Sequence, residues 1–566
     1  MLHNPSPVVD SSAEAAGPAP IVPLPRAVTA FVGRTLKGPL DTPTAIGSFA
    51  EYQQLFGGLW QPAPLSYAVE QFFESGGQQA LIVRVANGAR PASLRLPAGT
   101  ETMLLHALAP GSREYLRASV DYDGIPTGAE DQFNLVLQRL RAPDSEWIEE
   151  QEILRRLSVL PGSERAVDRV LSASRLMRVA APLPAQRPDP TRPEQAGGVI
   201  GYVAAGADGG DGADLSDYDL IGDAVARSGL FALRAGPRFE LLCLPPPGRD
   251  ADVGLAAWLV AARLCRDRQA MLIVDPPGSW DSPEAALAGA AHWPFHSGNA
   301  LLFLPRINAA DRLRGRSERF APCGVVAGFL SRCDAARDAA AGDAAAGDAA
   351  AGDQAARRET AGTQLNTVAR MSLLRGSLRP QFPLDEAQRQ QLLQHGVNGF
   401  GDLRQGLAAM RGARTLMPES AAPGATGDLP ARRLSLWLQA CILEGTRWTR
   451  LTSGGAVQWQ QVRTQTEAFL ATVAASGAFG ADRDEQRYFV ICDERLNTAE
   501  SAAQGSCRLL FGFAVSDAAE YQSWLVTHER SGSSVRAVSS NRLAIAGARV
   551  AAEIETAILR QLVSAA

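Results

Sequence analysis

His292 and His296 stand four residues apart, a spacing that can put two imidazoles on one helix face for zinc. Pro294 lies between them, and no Glu sits beside His292 as a metalloprotease needs. His3, His106, His395 and His528 are isolated in sequence. Glycines and carboxylates crowd together in Gly206-Ala-Asp-Gly-Gly-Asp-Gly-Ala-Asp214. A phosphate cradle wants bare N–H groups, and Asp208, Asp211 and Asp214 repel phosphate. A calcium loop wants ligands at positions 1, 3, 5 and 12, whereas these aspartates recur every third residue. The segment reads as a turn ahead of residues 217–221. Lys37 is followed by Gly38-Pro39, and no Gly-x4-Gly-Lys-Ser/Thr occurs, which excludes a P-loop ATPase. No Gly-x-Ser-x-Gly nucleophile elbow is present either. Asp275-Pro276-Pro277 follows an apolar run, at the strand end where α/β enzymes bind ligands. It is the place where an enzyme reading could rest, although a bare Asp-Pro-Pro turn is more often structural.

The elements that must position such residues come from a chain of 566 residues, 46% hydrophobic and 20% charged. That composition builds large cores and excludes disorder over the whole chain. The net charge of −5 argues against a dedicated nucleic-acid binder. Of the 55 basic residues, all but Lys37 are Arg. The bias reads as genomic, and Arg's planar five-donor fork suits ion pairs at interfaces. Seven cysteines (Cys243, Cys265, Cys323, Cys333, Cys441, Cys492 and Cys507) are scattered without a CxxC. They read as small buried hydrophobes, not as a disulfide framework or a zinc ribbon. The first 25 residues lack a basic region followed by an apolar core, so no secretory signal is expected. No window reaches 18 uninterrupted apolar residues, so no membrane span is expected. A reducing cytoplasm is the expected site of synthesis.

Residues 1–26 are rich in Pro, Ser and Ala and read as a flexible or extended arm. A strand at 28–32, helices at 49–56 and 65–74 and a buried strand at 80–85 give β-α-α-β. Between 90 and 190 the pattern changes to alternation, as at 116–121 and 133–140, which suggests antiparallel strands. Buried strands at 239–244, 270–274 and 300–305, with a helix at 255–265, suggest a mainly parallel βαβ region. Asp338-Ala-Ala-Ala-Gly then repeats at Asp343 and Asp348. Gly every fifth residue weakens a helix, so an exposed loop or frayed helix is expected. The last third shows helices at 384–395, 434–444 and 457–475. Strands are read at 448–451, 488–492, 507–515 and 521–527, with a final helix at 549–563.

An ordered set of short motifs carries a resemblance. It begins with Thr29-Ala-Phe-Val-Gly33, Lys37-Gly-Pro39, Ile46-Gly-Ser-Phe49, Phe56-Gly-Gly58, Pro64-Leu-Ser-Tyr67, Gly76-Gly77 and Val83-Arg-Val85. It continues through Asp217-Tyr-Asp-Leu-Ile-Gly222, Arg227-Ser-Gly-Leu230, Leu241-Leu-Cys-Leu-Pro245, Val274-Asp-Pro-Pro277 and Gly324-Val-Val-Ala-Gly328. It ends with Gly396-Val-Asn398, Arg411-Gly-Ala-Arg-Thr-Leu416, Glu444-Gly-Thr-Arg-Trp448 and Val490-Ile-Cys-Asp-Glu494. Spanning roughly Val28 to Thr527, this set resembles the contractile tail sheath proteins of phage tails, tailocins and phage-tail-like injection systems.

The resemblance implies a mixed α/β, multidomain tail-sheath fold, with a core domain built from both chain ends and outward-facing domains inserted between. The expected division starts with a linker arm (1–26) and the N-terminal portion of the core domain (27–89). A mainly β insertion (90–195), an α/β insertion (196–335) and a low-complexity loop (336–360) follow. The C-terminal portion of the core domain (361–530) and a C-terminal extension (531–566) complete it. The resemblance also implies a structural subunit with no catalytic, cofactor or metal residues. The implied partners are copies of itself in a helical polymer, an inner tube protein, and baseplate and terminal cap proteins, with no nucleic acid. Subunits of this family link by strand exchange, which implies linking strands at Val8 and Val9 and at Tyr521, Ser523, Trp524, Leu525 and Val526. Ser6-Pro7-Val8-Val9-Asp10 departs from the family's Pro-Gly-Val-Tyr-like start. The repeat tract replaces a Trp- and Pro-containing segment, and the chain runs past the usual end. Two other readings stay open: a baseplate or cap component with the same core fold, and an α/β enzyme with a site near Asp275.

Overall fold

The structure is a computed structural model. It describes residues 19–26, 28–143, 145–191, 201–206, 208–346, 378–400, 413–418, 427–451, 454–476, 478–479, 488–514 and 521–538, with backbone only for 336–346 and 521. Val8, Val9, the later copies of the repeat and the helix expected at 549–563 lie outside the described residues.

The chain begins with β1 (Val28–Gly33), β2 (Thr44–Ile46) and β3 (Gln79–Arg84), with helices Phe49–Phe56 and Pro64–Glu74 between the last two strands. The first helix is opened by Ser48, whose hydroxyl accepts from Glu51 N, and closed by Gly57 at φ 89°. A β unit follows, with β4 (Ser93–Ala98), β5 (Glu101–Ala107), β6 (Leu116–Asp121), β7 (Gln132–Leu140), β8 (Ile148–Ser158), β9 (Met177–Val179) and β10 (Val203–Ala204). These form sheets β4-β5-β9 and β10-β6-β7-β8 around a shared core that includes Leu94, Leu105, Leu135 and Leu137. The alternation in the sequence is the alternation of these strands between core and solvent.

The chain then returns to the first sheet. β11 (Leu241–Cys243), β12 (Met271–Val274) and β13 (Ala300–Leu304) alternate with helices Leu255–Asp267 and Pro283–Ala291. β14 (Ile307–Asp311) and β15 (Arg316–Phe320) form a hairpin that β16 (Arg379–Pro380) joins, and β17 (Asn398–Gly399) extends the main sheet. The seven-stranded order is β17-β13-β12-β11-β1-β3-β2, parallel except for β2. Its strands are apolar on both faces because helices cover both. Phe31, Ile82, Cys243, Ile273 and Phe303 point to one core, and Val32, Leu81, Leu242, Leu272 and Leu302 to the other.

Residues 28–84 thus share one sheet with 241–304, through Thr29↔Leu241, Ala30↔Leu242 and Phe31↔Cys243. The sheet joins segments that the sequence assigned to the core domain and to the inserted α/β domain. Later segments join it too: β17 lies in the same sheet, Leu429 and Leu436 share the core of Phe31, and Ile21 packs with Trp437 and Cys441.

The helix Cys323–Ala346 crosses the helix Pro64–Glu74 closely. A Cβ on Gly324 would fall 2.1 Å from Ala68 O, and one on Gly328 2.4 Å from Phe72 O. The backbone stays helical through the first repeat unit, where a loop or frayed helix was expected, because Ala propensity outweighs a single Gly. Gly324→Val is expected to push the helices apart and to cost at least about 1–3 kcal/mol, as overpacking does. Urea unfolding checks this, and an unchanged midpoint would contradict the close crossing.

The C-terminal unit holds helices Leu429–Gly445 and Ala456–Ala475, with β18 (Tyr488–Ile491), β19 (Cys507–Ala514), β20 (Tyr521–Glu529) and β21 (Gly532–Val538). Residues 448–451, read as a strand, lie instead in a 3-10 turn, Arg447–Leu451. Local bonds win there: Thr449 N and Oγ1 both donate to Thr446 O. No helix among the described residues is long and apolar enough to cross a membrane.

Candidate assembly interface

The C-terminal unit is built on its first helix. Asp428 accepts from Ala431 N at 2.9 Å, and Pro430 sits in the first turn, where its missing N–H costs nothing. Trp437, Leu438, Cys441 and Ile442 then pack with Val462, Phe469 and Leu470 of the second helix, and with Leu509, Phe511, Phe513, Trp524 and Val526 of the sheet.

Residues 19–26 lie across these helices as a strap. Pro20, Pro23 and Pro25 keep it out of helix and sheet. Ile21 is buried against Gly445, where any Cβ would come within 2.7 Å of its side chain. Trp437 Nε1–H donates to Leu24 O at 2.8 Å, and the Arg26 guanidinium stacks 3.5 Å over the same indole. Gln465 donates to Ala19 O. The root of the N-terminal arm is therefore fixed on the C-terminal unit.

The sheet runs β18-β19-β20-β21, antiparallel throughout. Trp524 faces Phe511 on one side and Ala537 on the other, and Leu525 faces Leu510 and Arg536. Ser523 and Val526 are likewise paired on both sides. A strand with both edges paired has no main-chain groups left for a neighbour. The structure therefore does not place Ser523, Trp524, Leu525 and Val526 on a free edge, as the linking-strand expectation requires, and Tyr521 belongs to the same strand. Among the described residues, the outer edges of this sheet are β18 and β21. β21 was missed in the sequence. Its signal was the Ser531-Gly532 pair, where the two-residue turn Arg530-Ser531 hands over to a mostly polar stretch.

His528 sits in this sheet's interior. Its ring nitrogens lie 2.8 Å from Thr446 Oγ1 and 2.7 Å from Ser533 Oγ. Burial, with Arg450 and Arg447 nearby, pushes its pKa down to about 4. Asp275 behaves oppositely. It accepts Cys323 N–H at 2.8 Å and so anchors the start of the helix Cys323–Ala346. Burial pushes its carboxyl up to about 6, against the pull of Cys323 and Arg306.

These opposite shifts predict opposite pH dependences. Between about pH 6.5 and 4 the unfolded chain binds a proton that folded His528 refuses, so this group's stability contribution is lost on acidification. Over about pH 4 to 6 folded Asp275 binds the extra proton, so its contribution is lost as pH rises. Each effect is on the order of 3 kcal/mol. H528Q is expected to flatten the acid-side loss, and D275N to stabilise the protein at pH 7.5. Unfolding curves from pH 4 to 8 check both, and parallel curves for all three proteins would contradict them.

The other chemistry-bearing residues go separate ways. Asp275 does not line the concavity formed by Pro64, Ala68, Gln71, Pro245, Arg249 and Arg306 among others. His292 Nδ1 lies 3.0 Å from Ala288 O at a helix end. Asp208 binds Ser93, Asp211 binds Ser112, and Asp214 pairs with Arg34 at 3.4 Å, so the Gly-Asp segment is tied down as a loop. Lys37 pairs with Glu149 at 2.8 Å. No group of three metal-ligating side chains gathers among the described residues.

No protein-family model matches the chain, and no curated protein matches it. Solved structures do. The sheath tail protein of Listeria innocua superposes with a TM-score of 0.54 at 10% identity, over 90% of this chain and 96% of that one. The sheath complex of the PVC extracellular contractile injection system, in its contracted state, gives 0.47 at 13% identity, over 91% and 94%. The contracted helical sheath of the anti-feeding prophage gives 0.47 at 14% identity, over 92% and 98%. At these identities the likeness to the Listeria protein speaks for the fold: the chain has the mixed α/β fold of a sheath tail protein.

Proposed function

We propose that this chain is the structural subunit of a contractile sheath. It polymerises as a helical tube around an inner tube protein, and contraction drives that tube through a target envelope. The observation that carries this reading is the sheath-tail fold followed over nearly the whole chain. The strapped arm and the β21 side of the C-terminal sheet supply what linkage needs. A neighbour's strand adds by main-chain hydrogen bonding beyond β21, with β20 as the interior rail, and Val8 and Val9 of the arm form the second linking segment. Such links bend without breaking while rigid subunits rotate past one another. Contraction then draws on interface energy stored in the extended state, and no nucleotide is consumed. Baseplate and terminal cap proteins bind the two ends of the polymer, and synthesis is in the bacterial cytoplasm.

Ultracentrifugation of the purified chain, alone and co-expressed with an inner tube protein, tests this. Pelleted hollow tubes under negative stain are the expected result. A chain that stays monomeric in every condition would overturn the proposal.

A further inference from the structure

The β14–β15 hairpin is a rigid cationic finger. Residues 312–319 hold four arginines against one glutamate, in a chain whose net charge is −5. Asp311 fixes the tip. Its buried carboxylate accepts from Leu313 N at 2.9 Å, Arg314 N at 3.2 Å and the Tyr67 hydroxyl at 3.1 Å, and it pairs with Arg249 at 2.9 Å. Gly315 takes φ +66° to turn the chain. Arg312 leans on Glu70 and Glu74, while Arg314 and Arg316 share the single carboxylate of Glu318. Two guanidiniums on one carboxylate leave the tip positive. Leu313 stands between Arg312 and Arg314, 55% exposed.

A second surface carries the opposite pattern. Residues 208–227 hold six aspartates against one arginine. Among them Tyr218 is 84% exposed and Val225 92%, the largest values among the bulky apolar side chains described. Local bonds fix this ledge as well. Asp219 closes a capping box with Ser216, and Asp223 accepts from Val225 N and Ala226 N at 2.8 and 2.7 Å. Exposed bulky apolar side chains ringed by one sign of charge mark a protein contact.

We propose that the finger of one copy docks on the ledge of a second copy. Leu313 meets Tyr218 and Val225, and the arginines face Asp214, Asp219 and Asp223. Opposite charge steers the encounter and fixes its register. Two different patches make a head-to-tail contact, which propagates into rings or open helices and does not close as a pair. The inference rests on the sheath reading and names one of the surfaces that reading needs.

Engineered cysteines test it. The seven native cysteines are all buried, so L313C and V225C placed in one chain are the exposed thiols available for cross-linking among the described residues. Mild oxidation of assembled tubes is expected to give a ladder of multimers on a non-reducing gel, and neither single variant should give one. R314E/R316E, whose side chains lie at the surface, should keep the unfolding midpoint and raise the concentration needed for assembly at least tenfold. Tubes without a ladder, or R314E/R316E assembling like the unaltered chain, overturn the docking and leave the sheath reading standing. An unaltered chain that never polymerises overturns the sheath reading, and the docking falls with it.

Discussion

A chain ending at Ser531 will fold and stay monomeric under conditions in which the full chain polymerises. β21 pairs with β20 from Ser523↔Val538 to Glu529↔Gly532, yet its side chains are exposed or half-buried throughout. It contributes main-chain bonds at the rim and little apolar area, so its loss costs the monomer only modestly. The apolar core stays with β19, β20 and the two helices. What disappears is the outer rail of the sheet and everything the chain presents beyond it. Circular dichroism and a melt within a few degrees of the full chain would certify the fold, and pelleting would report assembly. Tubes from the shortened chain would move the linkage away from this edge.

Trp524→Ala will have the opposite profile, unfolding the C-terminal unit first. The indole is 4% exposed, with its centroid 5.4 Å from Phe513 and 5.6 Å from Phe511. Truncating a buried Trp costs about 3–5 kcal/mol, against about 5–15 kcal/mol for a typical domain. The seven-stranded sheet has separate cores on both faces and should survive. Limited proteolysis should therefore cut within 429–538 in the variant and spare 28–304. A variant as resistant as the parent would show that the ring packs less tightly than these distances imply. The two changes separate linkage from folding within one sheet.

Local order was legible in the residues. Phe49–Phe56 and Pro64–Glu74 announce themselves by apolar spacing and by caps, and β6 and β7 by partial alternation. The union of 28–84 with 241–304 was not legible, because parallel pairing joins strands some two hundred residues apart and leaves no local mark. Trp448 misled because an aromatic beside β-branched Thr449 reads as strand until the i→i+3 bonds to Thr446 are seen. The structural role of Asp275 was legible only as a strand-end turn, because sequence hides the helix start it anchors. Tyr521–Val526 alternate as an added strand should, and their sequence does not show that polar β21 pairs along their edge from Ser523 onward. A linking edge is defined by what is left unpaired, and only the paired structure shows that.

The most direct measurement is a cryo-EM reconstruction of the assembled polymer with the chain traced through side chains. The expected result is a helical tube in which a strand from a neighbouring subunit is hydrogen-bonded to an outer edge of each β18-β21 sheet. A tube whose subunits touch only through side chains, with both edges of that sheet bare, would contradict strand-linked assembly.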